Sequence, residues 1–99
     1  MSRYFDRKGQ PMEMMDWARR YEKADRVVAK DIIEDQRVST VWLGLDHRFG
    51  EGPPLIFETM IFGGPHDEYC DRYCTEEAAL TGHNRTVAAL REGRDPQEA

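Results

Sequence analysis

The chain has 99 residues, of which 39% are apolar and 33% charged, and its net charge is −5. That length holds one core, and the apolar fraction is too high for a disordered chain. The acidic balance gives no basic footprint for nucleic acid or an anionic membrane, and no apolar run approaches the roughly 20 residues of a membrane span.

The N-terminal segment from Met1 to Lys8 has no apolar stretch behind its basic residues, so no signal peptide is expected. Cys70 and Cys74 are too few for a secreted disulfide framework. These features lead to the expectation of a soluble protein of a reducing cytoplasm, with neither membrane nor nucleic acid as partner.

Residues 3–6 read as a short extended stretch. Asp6 and Gly9 suit the first and last positions of a type I turn. Pro11 then stands where a helix would open. Met14, Trp17, Ala18 and Tyr21 recur at helical spacing against a charged opposite side, giving an amphipathic helix of about three turns. From Arg26 the apolar residues become β-branched, and Val27, Val28, Ile32 and Ile33 mark a strand. Residues 34–37 form a polar turn. Val38 to Asp46 is the clearest strand, residues 47–54 are a loop, and Pro54 to Phe62 is the next strand.

Residues 67–74 admit two readings. Alternation of Tyr69, Asp71 and Tyr73 against Glu68, Cys70 and Arg72 favours an edge strand. A helix opened by Pro65, with Asp67 and Glu68 in its first turn, is the rival. Thr75 suits the N-cap of a second helix, with Glu76 and Glu77 in its first turn. Leu80, His83, Val87 and Leu90 form its apolar stripe, and Gly93 suits its C-terminal end. The fold class is therefore α+β: an antiparallel meander of three to four strands with two helices packed on one face. Residues 1–93 form the domain and residues 94–99 a flexible C-terminal tail.

Suppose Asp46 lies near Pro54 and Trp42 near Glu58 across the central loop. Period-two alternation then sorts the two strands into faces. Ser39, Val41, Leu43, Leu45, Leu55, Phe57, Thr59 and Ile61 would meet the helices. Thr40, Trp42, Asp46, Ile56, Glu58, Met60 and Phe62 would face the other way. That second face is unusually apolar for one that two helices cannot cover. Trp42, Ile56, Glu58, Met60 and Phe62 are thus the expected interface, either of a homo-oligomer (a dimer stacked sheet on sheet) or with a partner protein. Glu58 within it needs a cation, and Arg72 on the neighbouring strand is the candidate.

His66, Cys70, Cys74 and His83 invite a zinc reading, but ligands four apart on a strand sit about 13 Å apart. No metal and no cofactor are expected. Asp46, His47, Glu58 and His83 are the residues best able to act as acid, base or ligand, and they define a small hydrolase or nuclease as the alternative function. No nucleophile, zinc-protease or phosphate-loop motif accompanies them. His83 on an apolar stripe reads first as a hydrogen-bonded core histidine, and Asp46-His47 first as loop capping. The balance falls against an enzyme.

Residues 39–47, 52–63, 72–75 and 79–83 resemble a group of small uncharacterised proteins of bacteriophages and prophages, especially those of actinobacteria. The resemblance spans roughly residues 38–90. It implies a phage or prophage accessory protein of unknown function, and it assigns no catalytic residue; the expected location is the host bacterial cytoplasm. The expected role is non-enzymatic: an oligomer that binds a host protein or a small ligand. A structural virion component is a further alternative.

Overall fold

A turn built on one carboxylate opens the chain. Asp6 Oδ1 accepts the backbone N–H groups of Lys8 and Gln10, each at 2.9 Å, and Gly9 N–H donates to Asp6 C=O at 3.0 Å. The computed structural model describes residues 3–23, 26–46 and 52–98. Helix α1 spans Met14–Lys23, later than the proline at 11 suggests. The first N–H to find a carbonyl one helical turn back is that of Trp17, on Glu13 at 3.0 Å. Four strands follow: β1 (Val27–Ile33), β2 (Gln36–Trp42), β3 (Phe57–Phe62) and β4 (Cys70–Tyr73). They form one antiparallel sheet in chain order, and α2 (Glu76–Arg91) lies across it. The architecture is the α+β meander expected, with both helices packed against the sheet.

Within residues 67–74 only Cys70–Tyr73 form the edge strand, β4, paired to β3 from Met60↔Cys70 to Phe57↔Tyr73, and residues 65–68 make a turn before it. Thr75 caps α2 by accepting Ala78 N–H at 3.1 Å. Gly93 takes the left-handed conformation just past its end. The polar turn between β1 and β2 is shorter than the sequence suggested: only Glu34 and Asp35 lie outside the ladder, and Gln36 and Arg37 belong to β2. Pro96–Glu98 closes the described chain as a single 3-10 turn, with Pro96 buried.

The central hairpin is where structure and expectation part. Trp42 pairs with Phe57, and Val41 with Glu58, one residue away from the register expected. The cause is local. Gly44 stands at φ +73, and Leu43 N–H and Gly44 N–H both reach the carbonyl of Ile56, at 2.8 and 3.3 Å. An extra residue is therefore taken up just beyond Trp42, so counting back from the loop miscounts the ladder. A one-residue slip exchanges the two faces of a strand. On β2, Val38, Thr40 and Trp42 face the helices, whereas Ser39 and Val41 face away.

The helix-covered side holds two apolar clusters. Trp42, Ile56, Phe57, Tyr73 and Ala79 form one, and Phe5, Met12, Trp17, Tyr21 and Val28 pack against it. Val38, Ile61, Val87 and Leu90 form the other, flanked by Ile33 and Tyr69. α2 turns Ala79, not the half-exposed Leu80, toward the sheet. Gly82 lets it sit close: a Cβ there would lie 2.3 Å from the Tyr73 hydroxyl. Helix α1 covers the end of the sheet through Trp17, whose indole N–H donates to Leu43 C=O at 2.8 Å. Tyr4, Trp17, Tyr21 and Trp42 stand in a chain of tilted rings.

Candidate functional site

Between the two apolar clusters runs a polar belt. Antiparallel pairing aligns Ala29, Thr40, Thr59 and Asp71 across all four strands on the helix side. His83 of α2 lies over this row with 1% of its surface exposed. Its Nε2 is 2.8 Å from Asp31 Oδ2, and its Nδ1 is 2.7 Å from Thr40 Oγ1. Thr40 Oγ1 in turn meets Thr59 Oγ1. The carboxylate beside Nε2 sets a proton on that nitrogen, and with the other nitrogen bare the chain runs in one direction. Nε2–H donates to the carboxylate, Nδ1 accepts from Thr40, and Thr40 accepts from Thr59. The two ring nitrogens of His83 and the hydroxyl of Thr40 thereby all have partners, as their burial requires.

The order carboxylate, imidazole, hydroxyl is that of a nucleophile relay. The setting is not, because Thr40 and Thr59 are fully buried under α2. A hydroxyl without access to a substrate does no acyl or phosphoryl chemistry. The belt is the hydrogen-bonded core histidine that the helix stripe suggested.

Tyr73 and Gln36 carry the loose ends. The Tyr73 hydroxyl and Gln36 Oε1 are buried without a hydrogen-bond partner. Burial, chiefly, pushes the Tyr73 phenol up to about 12, although Thr59 and Asp71 are its polar neighbours. Burial also raises the Tyr69 phenol, reinforced by the Asp71 carboxylate.

The hydrolase constellation does not assemble. Glu58 points to the open face of the sheet, and His83 is sealed on the other. Asp46 serves the backbone, accepting Leu55 N–H at 3.1 Å. His47 lies outside the described residues. Cys70 is on the open face and Cys74 approaches Pro53 C=O at 3.9 Å, so the cysteine and histidine positions that spacing grouped together are dispersed. Among the described residues, no three His, Cys, Asp or Glu side chains come together as a metal-binding set.

The expected interface is corrected by the register. Trp42 and Ile56 are 3% and 0% exposed, inside the protein's own core. The Trp42 indole N–H donates to Phe5 C=O at 3.1 Å. Glu58, Met60 and Phe62 do remain on the uncovered side. That side is ordered in three cross-strand rows. Val27, Val41, Glu58 and Arg72 form the first. Lys30, Ser39, Met60 and Cys70 form the second, and Ile32, Arg37 and Phe62 the third.

Glu58 finds its cation in Arg72, whose Nε donates to Oε2 at 3.0 Å. The Cys70 thiol donates to the same oxygen at 3.3 Å. Burial, and then the Glu58 carboxylate, push that thiol up to about 11, so it stays protonated and poorly nucleophilic near neutral pH. Arg37 lays its guanidinium over the Phe62 ring, 4.6 Å from the centroid. Ile32 is 68% exposed and Phe62 38%. The sequence missed Arg37, Lys30 and Ile32 as members of this face. The tight turn at Glu34–Asp35 was the available signal, since it fixes which residues of β1 and β2 share a side.

No protein-family model, curated protein or solved structure matches the chain. No helix among the described residues is long and apolar enough to cross a membrane.

Proposed function

We propose that this chain is a non-enzymatic binding module whose recognition surface is the open face of its sheet. The observation behind this reading is the uncovered row structure itself. Ile32, Met60 and Phe62 project apolar side chains from one side of a sheet whose helices all lie on the other. Glu58 among them is paired with Arg72 and accepts the Cys70 thiol, so its charge is compensated within the face. The catalytic alternative has no such support, because its candidate groups lie on opposite faces. The resemblance of residues 38–90 adds a phage or prophage accessory protein to this reading, and action on a host protein follows only from the open face.

Two positions of equal exposure give the test. Phe62 on the open face and Leu80 on α2 are each 38% exposed. A photo-crosslinking residue at position 62 should yield a discrete adduct in host cells, and the same residue at position 80 should not. Equal labelling from both positions, or none from 62, removes the open face as the working surface. Mass spectrometry of purified particles addresses the virion alternative: a host-directed protein is absent from them.

A further inference from the structure

The open face has a charge opposite in sign to the whole molecule. The chain is acidic overall, at −5. Yet the three rows carry Lys30, Arg37 and Arg72 against the single acid Glu58. Glu58 is held by Arg72 with 13% of its side chain exposed, so its charge is largely spent within the face. Among the described residues, Lys30 and Arg37 have no ion-pair partner, and both are exposed. The two free cations lie beside the apolar residues Ile32, Met60 and Phe62 rather than at a distant rim.

Size and charge together disfavour a second copy as the occupant. Four strands about 4.8 Å apart, with six residues rising about 3.3 Å each, offer a face of about 400 Å². Two copies stacked through it would bury about 800 Å², short of the roughly 1,200 Å² at which stable protein pairs begin. They would also bring two faces of the same net positive charge together, and like charges across an interface cost affinity. The same face suits a short segment of opposite charge, whose acidic side chains meet Lys30 and Arg37 while its apolar ones cover Met60 and Phe62.

From this complementarity we infer that the open face binds an acidic, apolar-centred polypeptide segment of another protein. The inference rests on the open face being the recognition surface, and it adds the chemistry of the partner.

The probes are two fluorescein-labelled ten-residue peptides, one alternating Glu with Leu and Val, the other with Lys in place of every Glu. Binding to the full chain is followed by fluorescence anisotropy. The Glu peptide should bind in the micromolar range, at least tenfold tighter than the Lys peptide, and weaken as salt rises from 50 to 300 mM. The double variant K30E/R37E should weaken it at least tenfold with an unchanged far-UV circular dichroism spectrum. The variant F62D should weaken the Glu peptide more than the Lys peptide, because it removes the ring and sets a carboxylate beside Arg37.

If the Lys peptide binds as well as the Glu peptide and F62D still abolishes both, the face is a recognition surface but its acidic preference is wrong. If neither F62D nor K30E/R37E changes any binding, the surface itself is wrong, and the proposal above falls with this one. Absence of binding by the Glu peptide at millimolar concentration overturns the inference. So does tighter binding of single-stranded DNA than of the Glu peptide, and so does dimerisation seen by light scattering in the wild type and lost in F62D.

Discussion

The two faces of this sheet use the same strands to opposite ends. On the covered face, α2 shields His83, Thr40 and Thr59 from water, and with Asp31 they hydrogen-bond one another between two apolar clusters, while Gln36 Oε1 and the Tyr73 hydroxyl stay without a partner. On the open face, water remains available. Polar groups there need no completeness, and Lys30 and Arg37 stand beside Ile32 and Phe62 without an ion pair among the described residues. A buried polar network marks structure when it is complete and sealed. An exposed mixture of apolar and unpaired charged groups marks a surface kept for something else.

The sharpest way to break this contrast is to truncate one large side chain on each face. Trp42→Ala empties the cluster at the end of the sheet and removes the indole bond to Phe5. It should cost about 3–5 kcal/mol of unfolding free energy, while Met60→Ala should cost less than about 1 kcal/mol. Urea denaturation measures both, and equal losses would mean that Met60 is core after all.

The polar belt gives the next largest effect. His83→Leu keeps the bulk but leaves Thr40 facing an apolar group, and should cost about 2–3 kcal/mol. Adding Thr40→Val and Thr59→Val removes the stranded hydroxyls and should recover most of that loss, since an apolar belt of the same shape has nothing left to satisfy. A triple variant no more stable than the single would show that the histidine holds α2 by more than these bonds.

The smallest expected effect lies at the Tyr73 hydroxyl. It is buried without a partner, so Tyr73→Phe should change stability at pH 7 by less than about 1 kcal/mol. Its effect appears in alkali. The phenol ionises near 10 when unfolded and is pushed up to about 12 in the fold. The folded chain therefore holds that proton longer. The associated stability is complete below pH 10 and is lost as the pH climbs toward 12. Stability of the wild type should fall more steeply than that of Tyr73→Phe across this window, and parallel curves would place the phenol in contact with water.

Each element was legible where the signal was short-range. The Asp6 turn, the cap at Thr75 and the β-branched run of β1 are local events, decided by residues within a few positions of one another. His83 as a core histidine and Arg72 as the cation for Glu58 were also readable, because both follow from position on an element once the strands are placed. The membership of the two faces was not. It hinged on Gly44 and the shared carbonyl of Ile56, a single-residue irregularity that moved Trp42 from surface to core. Nothing in the alternation of β2 or β3 by itself counts residues across the loop between them.

The sequence by itself thus determined that this chain is α+β, that its strands form a meander, and that α2 starts at Thr75 with a histidine on its inner stripe. Local conformational preference and hydrophobic period carry that much. Tertiary structure alone decided which side of each strand is covered, that Asp31, His83 and Thr40 meet, and that Lys30 and Arg37 share a face with Phe62. Those are relations between residues far apart in the chain. They are set by register, where a shift of one position turns a whole strand over.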